Sequence, residues 1–95
     1  MKVNKMTDAQ IAEALRGVTG WSTQGGLSIE RSLAFKDHIT AIGFVVRVSM
    51  LAEVMNHHPE LRIVYNKVDI VLNTHDAGGL THLDFELAKK IDACV

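Results

Sequence analysis

The sequence predicts an α+β fold: a four-stranded antiparallel sheet with three helices on one face, in the order α-β-β-α-β-β-α. Three observations lead there. The stretches "TDAQIAEALRG", "HITAIGFVVRVSMLAEVMN" and "THLDFELAKKIDACV" set apolar residues at helical spacing behind a residue able to cap a helix. Between them lie two pairs of short strand-like runs, and the short link within each pair favours antiparallel hairpins. The 95 residues, 47% hydrophobic and 22% charged, suit one packed domain over 1–95.

The first helix starts behind Thr7. Gln10 stands three residues on, as a reciprocal cap requires, and Ile11, Ala12 and Leu15 share its apolar face. "WSTQGGLSIERSLAFK" then reads as two strands around a turn at Gln24-Gly25-Gly26, with Leu27, Ile29, Leu33 and Phe35 alternating with small or polar residues. Arg31 falls on the apolar parity, which predicts an edge position or a partner across an interface.

Asp37 caps the second helix, which is apolar almost all round: Ile39, Ile42, Val46 and Met50 form one stripe, while Phe44, Val48, Leu51 and Val54 occupy others. A helix lying on one sheet needs one apolar stripe. The surplus predicts burial against another subunit, the alternative being cover from the first and last helices. Pro59 ends the helix and pushes His58 into extended conformation. "ELRIVYNKVDIVLN" is a hairpin turning near Asn66-Lys67, "HDAGGL" a loop, and Thr81 caps the last helix, whose buried side carries Leu83, Leu87 and Ile91.

Composition narrows function. With 10 basic and 11 acidic residues the net charge is −1, so nothing argues for nucleic acid or an anionic membrane surface. The single Cys94 forms no internal disulfide, and neither a signal-peptide core nor a convincing membrane span is legible, so a soluble cytoplasmic protein is expected. Gly25-Gly26 and Gly78-Gly79 are turns, not phosphate-binding loops.

The histidines stand out. His57 and His58 bracket the change from helix to extended chain, where adjacent side chains can line two walls of one pocket, and His75 ends the alternating run of the last strand. Imidazoles titrate near neutrality and can divide acid and base duties. The residues leave alternatives open: two histidines could cap a helix C-terminus, and three could bind Zn²⁺, although HExxH spacing and a cysteine pair are absent. Glu53, one turn before His57, could face the same cleft; Asp84 could serve only the cap at Thr81; Trp21 could be a core anchor or a wall for a flat heterocycle.

Together, Glu53, His57-His58-Pro59, Tyr65, His75 and Asp84, with "VYNKV" and "THDAGGL", resemble the pattern of pterin-4a-carbinolamine dehydratases over nearly the whole chain. The resemblance implies dehydration of a 4a-hydroxytetrahydropterin to quinonoid dihydropterin, recycling the cofactor of aromatic amino-acid hydroxylases. It implies a catalytic trio, with His57 and His58 as the acid–base residues and His75 polarising or binding the substrate, and Glu53, Asn56, Trp21, Pro59 and Asp84 around the substrate. The pterin is the substrate, and no cofactor or metal is expected. Dimers or tetramers through helix 38–56 are also implied. Some similar proteins act as transcription coactivators through the second helix, and a role in molybdenum-cofactor metabolism is a further alternative. Asn56 stands where many members carry an acid.

Overall fold

The structure, a computed structural model, describes residues 3–95; Met1 and Lys2 lie outside the described residues. Local caps start the helices where the sequence puts them. Thr7 caps α1 (Asp8–Leu15): its N–H donates to Gln10 Oε1 at 2.8 Å while its hydroxyl accepts from the Gln10 N–H. Asp37 caps α2 (His38–Met55), accepting from the Thr40 hydroxyl at 2.7 Å and the Thr40 N–H at 2.8 Å. These two bonds favour the ionised carboxyl and hold it below the ordinary aspartate range. Thr81 caps α3 (His82–Asp92), with Asp84 bonding back to it.

The strands are β1 (Ser22–Gln24), β2 (Ser28–Ala34), β3 (Glu60–Val64) and β4 (Lys67–Leu72), all antiparallel in the order β1-β2-β4-β3. Gly25 and Gly26 take φ of 63° and 73° in the first turn, which β-carbons would strain. The second hairpin turns through Tyr65-Asn66, one residue earlier than expected, because Val64 pairs with Lys67. Alternation decides the faces: Ile29, Val68, Ile70 and Leu72 are buried under the helices, and Glu30, Ser32, Arg62 and Asp69 lie on the other side.

Arg31 belongs to an inner strand, but β1 ends opposite Glu30, so β2 has no neighbour on that side from Arg31 onward. The edge expectation therefore holds locally. Its partner, however, is Asp92 of the same chain, at 2.5 Å.

Helix α2 turns Ala41, Phe44, Val48 and Ala52 into the core, where Phe44 meets Phe35 with ring centroids 4.9 Å apart. α3 adds Phe85, Leu87, Ala88 and Ile91; its Leu83, expected inside, is only half-buried. On α1, Ile11 is buried but Ala12 faces solvent, so the buried face is narrower than expected. The surplus stripe of α2 is not covered by α1 or α3: Ile39 is 78% exposed, Met50 65% and Val54 85%. Full burial of each such side chain is worth about 1.5–3 kcal/mol, which leaving it in water forgoes. By length and composition alone this helix could cross a bilayer, but its opposite face is occupied by the sheet.

Candidate functional site

The site begins where α2 ends. Asn56 adopts the left-handed conformation (φ 50°, ψ 43°), which Asn tolerates better than most residues. Its N–H donates to Glu53 O at 3.2 Å and the His57 N–H donates to Ala52 O at 3.0 Å, the pair of bonds that closes a helix in a Schellman motif. This reversal sends the chain off in two directions. His57 turns inward, 8% exposed, while His58 stays outside.

His57 is held from behind. Asp84 is fully buried, and its Oδ1 lies 2.6 Å from His57 Nε2. A carboxylate only accepts, so Nε2 carries the proton of this bond. The other oxygen, Oδ2, accepts from the Thr81 N–H at 3.0 Å and the Thr74 hydroxyl at 2.8 Å. Asp84 thus serves the helix cap and the histidine together. His58 is held more loosely: its Nε2 donates to Glu53 Oε1 at 2.5 Å, with both side chains more than half exposed.

His75 does not sit on a strand. β4 stops at Leu72, and His75 opens a 3-10 turn (His75–Ala77) closed by Gly78 at φ 74°. The Thr74 N–H donates to Gly79 O at 3.0 Å and Thr74 O accepts from the Ala77 and Gly78 N–H groups, so one residue anchors the whole turn. The alternation of β4 therefore does not set its direction.

These elements converge. One cavity of about 180 Å³ is lined by Asn56, His57, His58, Asn73, Thr74, His75 and Asp76. A neighbouring hollow of about 210 Å³ shares Asn56, His57, Thr74 and Asp76 and adds Val3, Ala77 and Leu83. The structure thus brings all three histidines and Asn56 to one cleft, with Glu53 joined to it through His58 and Asp84 through His57. Pro59 lines neither hollow; it starts the run into β3.

Trp21 is not a wall of this cleft. It is buried, and its Nε1–H donates to Asp92 Oδ1 at 2.8 Å, at the far end of α3 from Asp84. Eight residues at 1.5 Å each separate those carboxylates by about 12 Å along the helix. Of the two readings open for Trp21, the core anchor is the one observed. Sequence reasoning missed Asn73, Thr74 and Asp76; the polar run Asn73-Thr74-His75-Asp76 directly after an apolar strand is the signal that could have found them.

Among the described residues, no group of three or more His, Cys, Asp or Glu side chains is arranged to hold a metal ion. A larger hollow of about 370 Å³ lies on the open sheet face among Glu30, Ser32, Glu60, Arg62 and Asp69, but it contains no histidine and no buried polar group awaiting a partner.

Comparison with known proteins fits this arrangement. The family model described as pterin 4 alpha carbinolamine dehydratase matches residues 4–94. A provisionally named pterin-4-alpha-carbinolamine dehydratase of Sulfurisphaera tokodaii is 49% identical, covering 95% of this chain and 96% of the relative. One of Bradyrhizobium sp. (strain BTAi1), also provisionally named, is 49% identical over 96% of this chain and 93% of its own. A crystal structure from Brucella melitensis, described as a transcriptional coactivator/pterin dehydratase, superposes with a TM-score of 0.91 at 42% identity, covering 96% of this chain and 98% of that one. A pterin dehydratase-like protein described as a RuBisCO assembly factor in the alpha-carboxysome shares the fold alone: TM-score 0.67 and 22% identity over 79% of this chain and 88% of that one. With the fold, the histidine cleft and a full-length match in agreement, the chain belongs to the pterin-4-alpha-carbinolamine dehydratase family.

Proposed function

We propose that this protein dehydrates a 4a-hydroxytetrahydropterin to quinonoid dihydropterin and water. The observation that carries the reading is the convergence of His57, His58 and His75 on one cavity, with His57 fixed against a buried carboxylate. In the reaction the bond from carbon 4a to the hydroxyl breaks, a proton joins the departing oxygen, N5 loses its proton, and a C4a–N5 double bond forms. One group must give a proton and another must take one. Imidazoles suit both tasks near neutral pH. No redox change occurs, and the reading requires neither metal nor cofactor. We place the activity in the cytoplasm, as recycling of the pterin used by aromatic amino-acid hydroxylases, with the pterin as small-molecule partner and no nucleic acid or membrane.

We further propose a homodimer or homotetramer assembled through helix 38–56. The exposed Ile39, Val46, Met50 and Val54 support this. The same strip favours a second reading, a docking module acting as a transcription coactivator, since a coactivator function is also given to the Brucella relative.

A stopped assay with enzymatically generated 4a-hydroxytetrahydropterin tests the main reading. Wild type accelerates water loss above the spontaneous rate, and His57→Ala and His58→Ala each lower that rate by about a hundredfold. A wild-type rate equal to background sinks it. A biological role that survives His57→Ala and His58→Ala together favours the docking reading instead.

A further inference from the structure

We propose that Thr74 is a positioning residue that ties two of the histidines to each other: its backbone holds the turn bearing His75, and its hydroxyl holds the carboxylate that fixes His57. The proposal rests on the dehydratase reading for its catalytic consequence, but its structural content can be tested without it.

The hydrogen bonds have a determined direction. Thr74 is 8% exposed, and Thr81 and Asp84 are fully buried. Each hydroxyl has one proton to give. Thr74 Oγ1 gives its proton to Asp84 Oδ2 at 2.8 Å. The contact of 2.8 Å between the two threonine hydroxyls must then be donated by Thr81. Thr81 Oγ1 in turn accepts from the Leu83 N–H in the first turn of α3. The chain therefore runs one way: Leu83 N–H to Thr81, Thr81 to Thr74, Thr74 to Asp84.

This fixes the carboxylate. Two donors converge on Oδ2, the Thr74 hydroxyl and the Thr81 N–H, and they set the plane of the group so that Oδ1 faces His57. The ring proton shared with Oδ1 lies on Nε2, so in the neutral imidazole Nδ1 is bare. No bond to Nδ1 is found among the described residues, and no buried side-chain nitrogen or oxygen among them lacks a partner, so Nδ1 keeps some exposure, on a residue that lines the cavity shared with His58 and His75. The geometry makes Nδ1 the nitrogen that exchanges protons with a bound molecule. Meanwhile the Thr74 backbone bonds to Ala77, Gly78 and Gly79 set where His75 stands. One residue between β4 and the turn thus registers His57, just past the end of α2, against His75.

The test uses ¹⁵N NMR of the histidine rings at a pH where they are neutral, with assay of the same samples. Wild type shows His57 as a single Nε2–H tautomer; an Nδ1–H tautomer or an even mixture in wild type overturns the proposal, whether or not any variant folds. Thr74→Val, which keeps the β-branch and loses the hydroxyl, gives mixed tautomers and a kcat lower by at least about tenfold, with KM changed by less than about threefold. Thr74→Ser restores both the single tautomer and the rate. A folded Thr74→Val with wild-type tautomer and kcat sinks the positioning role. If wild type has no dehydratase activity yet shows the single tautomer that Thr74→Val scrambles, the dehydratase reading fails and the positioning of His57 stands.

Discussion

Helix α3 carries an aspartate cluster at each end, and the two behave differently. At its start, Asp84 is fully buried and accepts from His57, Thr74 and Thr81. At its end, the half-buried Asp92 accepts from Trp21 and Arg31. Each cluster joins distant parts of the chain through one carboxylate. The first suits its place, because the helix N-terminus favours negative charge; the second opposes the dipole at the C-terminus and leans on the Arg31 guanidinium instead. Charge balance does not separate them in function. What does is that the donors to Asp92 are an indole and a guanidinium, which do not exchange protons near neutral pH, whereas the Asp84 cluster ends in an imidazole that lines an open cavity. A site is marked by a group able to exchange protons, not by the number of polar groups gathered.

The comparison breaks most sharply at Asp84. Asp84→Asn leaves one acceptor oxygen where two are used, so it cannot accept from both His57 and the Thr74–Thr81 pair; kcat falls by at least about a hundredfold, and the disrupted buried network destabilises the fold by about 1–3 kcal/mol. Steady-state rates beside denaturant unfolding check this, and a kcat within fivefold of wild type contradicts it. At the other end the effects separate. Arg31→Met costs about 2 kcal/mol of stability by stripping a half-buried carboxylate of its cation, while kcat stays within about twofold. Trp21→Phe keeps most of the packing and loses the indole donor, costing about 1 kcal/mol, again with kcat unchanged; a large loss of kcat would return Trp21 to the site.

Two smaller effects sharpen the picture. Asp also tolerates the left-handed backbone at position 56, so Asn56→Asp changes charge with little strain. A carboxylate beside the paired histidines favours the imidazolium, so the histidine-dependent limb of the pH–rate profile moves modestly upward; an unchanged profile refutes the electrostatic role of this position. Asp37 gives the smallest effect. Its carboxyl is held low by Thr40, so its contribution to stability is full above the unfolded-state pKa and is lost as pH falls through the lower folded-state value. Thermal midpoints of wild type and Asp37→Asn should accordingly converge in acid, and a constant gap would show that ionisation at Asp37 is irrelevant.

Local physics was legible in the sequence. Thr7, Asp37 and Thr81 announce their helices because a cap acts within three residues, and the alternation around Ile29 announces its strand because side-chain parity is a local property. The histidine trio stands out by its placement in the chain, and the family resemblance supplies its role. What stayed hidden was set by contacts far apart in the chain. Trp21 and Arg31 meet Asp92 only after the helices pack, so neither partner could be read from spacing. His75 reads as the end of the alternating run and the start of a loop; the bridge between Thr74 and Gly79 that shapes this loop into a 3-10 turn joins residues whose pairing no alternation announces. Thr74 went unnoticed since a lone threonine after a strand carries no pattern.

Glu53, which grips His58, stands on α2 between the exposed Met50 and Val54. Whatever settles on that greasy ridge, a sister chain or a foreign helix, must brush against the very side chain that steadies an imidazole. The proposed assembly surface and the proposed proton-transfer site therefore meet at Glu53.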